Sequence, residues 1–120
     1  MELEEYIEKI LKETGIERQL SGYFYLKMAI ALCPNQVWKL NMSTIYSKIA
    51  EKIGIGAAAI ERGMRYAIQK AVNVKGAEFL FEYFGREPVK RKRIMTNSIF
   101  LWLCIEKIEG MRKGEKLHVK

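Results

Sequence analysis

The sequence lacks residue types that enzyme active sites usually need. Of its 120 residues none is Asp, one is His (His118) and two are Cys. A Ser, His and Asp triad cannot be built from this set, and no His and Cys residues have the spacing of a zinc site. Cys33 and Cys104 lie in apolar surroundings, which is typical of buried free thiols in a reducing compartment. We therefore predict a protein that is not an enzyme and that binds no metal or cofactor.

Long apolar runs and a basic leader are also missing. The longest apolar run, Ile99 to Ile105, is much shorter than the ~20 residues that cross a bilayer. The first residues, MELEEYIEKI, are acidic where a signal peptide would be basic. We therefore expect a cytoplasmic protein with no membrane partner, of a length that suits one domain.

The charge that is present is unevenly distributed. The formal net charge is +7, but residues 1–17 hold six Glu and two Lys, a balance of −4. Residues 18–120 therefore carry the remaining +11. A strongly basic region of this kind favours a polyanion as the partner.

Apolar residues recur at helical spacing along most of the chain, and no strand-like alternation with hairpin turns is present. We predict an all-α fold of about six helices, with a single helical domain in residues 1–110 and a flexible basic tail in residues 111–120. The second helix is apolar nearly all round, so we expect it to be the buried centre. The predicted helices span residues 2–13, 20–33 before Pro34, 43–53 capped by Ser43, 57–74, 77–84, and about 97–109 capped by Thr96 or Asn97, with a single helical turn left open at 35–41. The aromatic residues of the C-terminal half are assigned to the core.

The third and fourth predicted helices have the pattern of a helix-turn-helix. Ala50 is the small residue where the two helices touch, Gly54 can take the positive φ of the turn, and Ile60 packs inside the second helix. Ile49 and Ile53 are predicted to fill flanking core positions. Any two packed helices with a short turn give a similar pattern, so that simpler interpretation remains open.

The second helix of this motif would place its N-terminal residues toward base edges in the major groove. Glu61 can accept a hydrogen bond from cytosine, and Arg62 or Arg65 can grip guanine with two hydrogen bonds. Ala58 and Ala59 offer only methyl contact with thymine. A surface ion pair between Arg65 and Glu61 is the alternative for those two side chains.

Further polar and basic residues are candidates for contact with the DNA backbone. They are Lys48, Lys52, Gln69 and the run Lys90, Arg91, Lys92 and Arg93. A solvated loop is the alternative for that run, although such an arm beside a recognition helix commonly contacts phosphate. If four to six of these residues touch phosphates, log K should fall against log salt with a slope of about −4 to −5.

Four separated blocks of the chain resemble one known family. They are GYFYLKMAI, IYSKIAEKIG, IERGMRYAIQKAV and FGREPVKRKRIMTNSIF, in register from about Ile10 to Ile108. The sequence resembles the C-terminal effector domain of the stage-zero sporulation response regulator. The resemblance implies an all-α domain that binds short double-stranded DNA sites, often as tandem copies, to regulate transcription. It leaves open a homodimer on tandem sites and a contact with RNA polymerase.

The chain departs from the pattern of that family in two ways. The family has Ser and Arg at the positions of Ala58 and Ala59, followed by residues matching Glu61, Arg62 and Arg65, so the site preference should be altered. The family also places a phosphorylated receiver domain before this one, and a chain without Asp cannot contain such a domain. MELEEYIEKI is typical of a natural start, which favours a stand-alone effector over an excised piece.

Two other functions stay open at this point. The chain could be a protein-interaction module that heterodimerises with a related transcription factor or antagonises it, since alanine stands at two positions where the family reads bases. A small basic RNA-binding protein is less favoured, because no exposed aromatic platform is evident in the sequence.

Overall fold

The computed structural model describes residues 1–33, 41–86 and 94–118 of the chain. Within these ranges it contains six α-helices and no β-strand, which confirms the predicted fold class. The helices are α1 (Leu3–Glu13), α2 (Ser21–Leu32), α3 (Met42–Ile53), α4 (Ala57–Lys75), α5 (Ala77–Tyr83) and α6 (Asn97–His118). The helical turn left open after Pro34 and the basic run Lys90 to Arg93 lie outside the described residues.

α1 combines an acidic first turn with an apolar stripe. The Glu5 carboxylate accepts a hydrogen bond from the backbone N–H of Glu2 at 3.2 Å, and negative charge is favourable at that end of a helix. At the other end the Thr14 hydroxyl donates to the carbonyl of Ile10 at 2.7 Å. The stripe is buried at Tyr6, Ile7, Ile10 and Leu11. α1 therefore covers one side of the core.

α2 lies at the centre of the helices and contacts α1, α3, α4 and α6. Leu26, Ala29 and Ile30 are buried on its inner side. The predicted central position of α2 is confirmed, although one side is open, where Phe24 is 56% and Leu32 is 46% exposed. These two residues are eight positions apart and share a face. That face points away from the four neighbouring helices.

α3 begins at a different residue from the prediction and ends, as predicted, at Ile53. Asn41 is the N-cap, not Ser43: its side-chain oxygen accepts from the backbone N–H of Thr44 at 3.2 Å. An N-cap residue needs an extended backbone, which Asn41 has, whereas Ser43 is already helical. Ile49 is buried as predicted, but Ile53 is 43% exposed and lies in a segment, residues 51–56, that is exposed throughout.

α2 and α4 cross at two glycines, Gly22 and Gly63. A methyl group on Gly22 would overlap the carbonyl oxygen of Gly63 and lie 2.7 Å from the Cβ of Ala67. A methyl group on Gly63 would lie 2.7 Å from the ring of Tyr25. The backbones therefore approach to a distance that only glycine permits. Met64, which is fully buried, fills the core beside this crossing.

α6 starts at a predicted residue. The Thr96 hydroxyl accepts a hydrogen bond from the backbone N–H of Ile99 at 3.2 Å, so Thr96 is the cap, one of the two predicted candidates. The buried side of the helix then packs into the core. Its residues are Phe100, Leu101, Leu103, Cys104, Ile105 and Ile108.

The prediction that the last helix ends near Glu109 is wrong, because α6 continues to His118. A glycine inside a helix costs about 1 kcal/mol relative to Ala, which weakens a helix without ending it. Contacts beyond Gly110 offset that cost. Met111 packs against the core, and the terminal ammonium of Met1 lies 3.5 Å from the carboxylate of Glu115. The flexibility of residues 111–120 stays a prediction.

The aromatic residues fill the core only in part. Phe81 and Phe100 are buried, and Tyr83 and Phe84 are half-buried. Phe79 and Trp102 are each 41% exposed, which corrects their assignment to the core. A cation lies over each of these rings, with Lys75 Nζ 5.3 Å from the centre of Phe79 and Arg86 Cζ 4.9 Å from the centre of Trp102. Both rings are thus covered by basic side chains of the same chain.

Candidate nucleic-acid interface

α3 and α4 form a helix-turn-helix at the predicted residues. Gly54 ends α3 with φ 80° and ψ 30°, a left-handed conformation that residues with a side chain rarely adopt. The backbone N–H groups of Gly54 and Ile55 both donate to the carbonyl of Ala50, at 2.8 and 3.2 Å. Ile60 is fully buried near the start of α4. The turn in residues 54–56 therefore sets the start of α4 at the surface.

α4 buries one side and presents the other. Its buried residues are Ile60, Met64, Ala67, Ile68 and Ala71, with Val72 half-buried. On the outer side, five positions fall within an arc of about 100° at the helical rotation of about 100° per residue. We call them the reading face: Ala58, Glu61, Arg62, Arg65 and Gln69.

Among the described residues, the guanidinium of Arg62 on the reading face has no ion-pair partner. Arg62 is exposed and forms no ion pair with any residue in the described ranges. Ala58 is exposed one turn earlier, while Ala59 is half-buried and lies beside the face, one turn before Gly63. The side chain of Arg62 is therefore available for contact with a ligand.

Arg65 is paired within the face. Its Nη1 atom lies 3.0 Å from Oε1 of Glu61, with side-chain exposures of 57% and 32%. An exposed pair of this kind contributes a few tenths of a kcal/mol, so it can be exchanged for a contact with DNA. The surface pair that was the alternative to base contact is present in the free protein.

Gln69 is attached to the segment that precedes α6. Its Nε2 atom donates to the carbonyl of Met95 at 3.3 Å, and the Met95 side chain is buried. This bond links residues 26 positions apart, and nothing in the local sequence pattern indicates it. The predicted contact of Gln69 with phosphate stays a prediction.

Asn97 is a second residue whose contacts the sequence pattern missed. Its Nδ2 atom donates to the Tyr46 hydroxyl oxygen at 3.0 Å and to the Glu61 carbonyl oxygen at 3.1 Å. Burial raises the pKa of Tyr46, so the phenol stays neutral at physiological pH. The start of α6 is thus bonded to both helices of the motif.

An open groove of about 270 Å³ lies between α3, α4 and the start of α6. It is lined in part by Tyr46, Glu61, Arg65, Ile94 and Asn97. Ile94 is 69% exposed at its rim and directly follows the basic run of residues 90–93. The groove therefore borders the reading face on the side of Ile94.

Two of the lysines predicted to touch phosphate lie exposed on α3. They are Lys48 and Lys52. Lys70, by contrast, is paired with Glu17, with 2.7 Å between its Nζ and Oε2, and this hydrogen bond raises the pKa of Lys70. The far end of α4 thus has less free positive charge than its sequence suggests.

The acidic N-terminal region uses part of its charge inside the fold. Lys27 on α2 lies 2.7 Å from a carboxylate oxygen of Glu4 and 2.8 Å from one of Glu8. Hydrogen bonds to Glu4 and Glu8 raise the pKa of Lys27, and the bond with Lys27 lowers the pKa of Glu8. These carboxylates hold α1 to α2. The reading face lies on α4 and takes no part in these ion pairs.

Other kinds of site receive no support from the geometry. Within the described ranges no three His, Cys or acidic residues are grouped as a metal site would require. None of the helices found there is long and apolar enough to cross a membrane.

A known family matches most of the chain. Residues 7–108 match the family described as "Sporulation initiation factor Spo0A C terminal". The chain belongs to the Spo0A C-terminal family. That family consists of DNA-binding domains of a sporulation transcription factor and is not a family of enzymes, and the Spo0A C-terminal domain binds double-stranded DNA. The family predicted from the four sequence blocks is confirmed.

Proposed function

We propose that this member of the Spo0A C-terminal family is a sequence-specific transcription regulator that reads duplex DNA with α4 in the major groove. In such docking the second helix of the motif meets base edges and the first crosses the backbone. Arg62 and Arg65 grip guanine, and Glu61 accepts from the amino group of cytosine. Ala58 and Ala59 offer only methyl contact with thymine. The observation that carries the proposal is the outward exposure of both arginines on the reading face.

Contacts with the DNA backbone complete the proposed interface. Lys48 and Lys52 on α3 meet phosphates on one side, Gln69 adds a polar contact, and the arm with Lys90, Arg91, Lys92 and Arg93 supplies the densest positive charge. Such contacts fix the register of a protein on the duplex without reading its sequence. A homodimer on tandem sites and a contact with RNA polymerase belong to the same proposal.

The proposed site preference differs from that of the family. The resemblance places Ser and Arg where this chain has Ala58 and Ala59, and a bidentate Arg to guanine contributes about 1 to 3 kcal/mol of discrimination. A protein without that arginine should accept a base other than guanine at the corresponding position. Its remaining readers are Glu61, Arg62 and Arg65.

Selection of duplexes from a random pool tests this proposal. The native protein should enrich one short site, and the variant with Ala58→Ser and Ala59→Arg should enrich a site with an additional guanine. Identical sites for both proteins would show that these two positions do not read DNA. A variant with both Arg62→Ala and Arg65→Ala is the matched control, and it should enrich no site.

A protein-interaction module remains the second candidate, and one observation favours it. Ile53 and Ile55 are 43% and 39% exposed next to the start of α4, so the edge of the motif is apolar as well as basic. Under this alternative the chain captures a related transcription factor through that edge. Loss of both arginines would then leave capture of the partner intact, whereas it abolishes DNA binding under the first proposal.

A further inference from the structure

Asn97 joins three helices through a single side chain. It is the first residue of α6 and is only 8% exposed. Its amide nitrogen donates to Tyr46 on α3 at 3.0 Å and to the backbone of Glu61 on α4 at 3.1 Å. Both helices of the helix-turn-helix are therefore bonded to the same amide group.

The two bonds leave the Asn97 amide one orientation. A backbone carbonyl can only accept a hydrogen bond, so the NH₂ end of the side chain must face Glu61. That same NH₂ group has a second hydrogen, which reaches the Tyr46 hydroxyl oxygen. Loss of either bond leaves the Tyr46 hydroxyl or the Glu61 carbonyl without this hydrogen bond in a partly buried position, which is unfavourable.

α4 is attached to the start of α6 at a second point. The amide of Gln69 donates to the carbonyl of Met95, two residues before Asn97 in the chain. Glu61 and Gln69 are eight residues apart, which is about 12 Å along a helix axis. Two attachments at that separation fix the tilt of α4 relative to the start of α6, whereas a single one would fix only one point.

We propose that Asn97 is a positioning residue for the reading of DNA: it sets the angle between α3 and α4, and through it the approach of Arg62 and Arg65 to base edges. The inference rests on the proposed function of α4. Hydrogen bonds to bases are short and directional, while attraction to phosphates tolerates displacement. A change in the angle therefore lowers discrimination between sequences more than it lowers total affinity for DNA.

Four variants separate this role from a merely structural one. Asn97→Ala removes both bonds, and Asn97→Asp keeps the size of the side chain but cannot donate to the Glu61 carbonyl. Tyr46→Phe removes one acceptor and keeps the ring, so it should fold even if an Asn97 variant does not. Thr96→Ala is the matched control, because it removes the cap of α6 without touching α3 or α4.

The measurement is the ratio of the Kd for a random duplex to the Kd for the selected duplex at one salt concentration. Asn97→Ala, which loses both bonds, should lower this ratio by about five- to tenfold. Asn97→Asp and Tyr46→Phe should each lower it by about twofold, because each variant keeps one of the two bonds: the Tyr46 hydroxyl can donate to the Asp carboxylate, and the Asn97 amide can still donate to the Glu61 carbonyl. Thr96→Ala should lower the melting temperature and leave the ratio unchanged. Folded Asn97 variants with the native ratio would overturn the proposal, as would an equal loss in Thr96→Ala.

Residual dipolar couplings of the free protein give a readout that does not depend on DNA. They report the angle between α3 and α4, which should change in Asn97→Ala, Asn97→Asp and Tyr46→Phe and stay native in Thr96→Ala. An unchanged angle in the Asn97 and Tyr46 variants would overturn the positioning role. A native protein that prefers no duplex would overturn the proposed function, and the angle would still decide the role of Asn97.

Discussion

The inner and outer sides of α4 meet opposite requirements. On the inner side Gly63 and Ala67 lie so close to Gly22 that a single added methyl group at Gly22 finds no space. On the outer side Arg62 and Arg65 are exposed and make at most one weak ion pair. Stability and recognition are therefore carried by different residues of one helix. Substitutions on the outer side should therefore change recognition and leave stability unaltered.

The largest effect is expected where α2 packs against the inner side of α4, from Gly22→Ala. The added methyl group would overlap the Gly63 carbonyl, and the helices must separate. Overpacking of this kind costs about 1 to 3 kcal/mol, and we expect the upper end because the obstructing atom is backbone. Denaturant unfolding monitored by circular dichroism measures the loss.

Two glycine variants serve as controls for that result. Gly63→Ala meets the half-exposed ring of Tyr25, which can turn aside, so its loss should be smaller. Gly110→Ala meets nothing within 4 Å and should raise the free energy of unfolding by up to about 1 kcal/mol. Native stability in Gly22→Ala would show that the crossing of α2 and α4 is less tight than described.

On the outer side the largest effect is expected from Arg62→Ala. Loss of a bidentate contact should lower discrimination for the selected site by about 1 to 3 kcal/mol, while the free energy of unfolding stays within about 0.5 kcal/mol. Fluorescence anisotropy and denaturant unfolding measure the two quantities. Lys113→Ala, which removes one positive charge from α6, is the control for net charge. A loss of stability without a loss of discrimination would contradict the division between the two sides.

A smaller effect is expected beside the reading face, at Lys48 and Lys52. Each change to Ala should weaken binding to selected and random duplexes alike and reduce the slope of log K against log salt by about 1. A titration series from low to moderate salt gives the slope. If the slope is unchanged in both variants, α3 does not cross the DNA backbone at these residues.

The smallest effect is expected from Glu61→Gln, which breaks the ion pair with Arg65. The free energy of unfolding should change by no more than a few tenths of a kcal/mol, since the pair is exposed. Random duplexes should bind more tightly, because a negative charge is removed from the interface. Weaker binding of random duplexes would indicate that Glu61 holds Arg65 in its binding orientation.

The sequence alone predicted those features that repeat with the helical period. Ile60, Met64 and Ile68 are four residues apart, and burial of one side of a helix requires that spacing. The opposite positions must then face outward, so the reading face could be predicted as well. The left-handed turn at Gly54 was also predictable, because a local conformation restricts the residue type.

Features that depend on distant segments could not be predicted in this way. The need for glycine at Gly63 arises on α2, where the ring of Tyr25 would meet any added side chain. The bond from Asn97 to Glu61 joins residues 36 positions apart. The continuation of α6 through Gly110 likewise depends on contacts outside the local sequence. The exposure of Ile53 was also missed, because the helical spacing does not show that residues 51–56 are all exposed.

The crossing of Gly22 and Gly63 sets limits on any effort to retarget this domain. A mutant library for new operator sequences can randomise positions 58, 62 and 65, whose side chains point outward. Positions 22, 63 and 67 should be held constant. A bulkier residue at Gly22 would push α4 away from α2 and move all three variable positions at once. Specificity can thus be diversified at three outward sites while the backbone geometry that presents them is inherited unchanged.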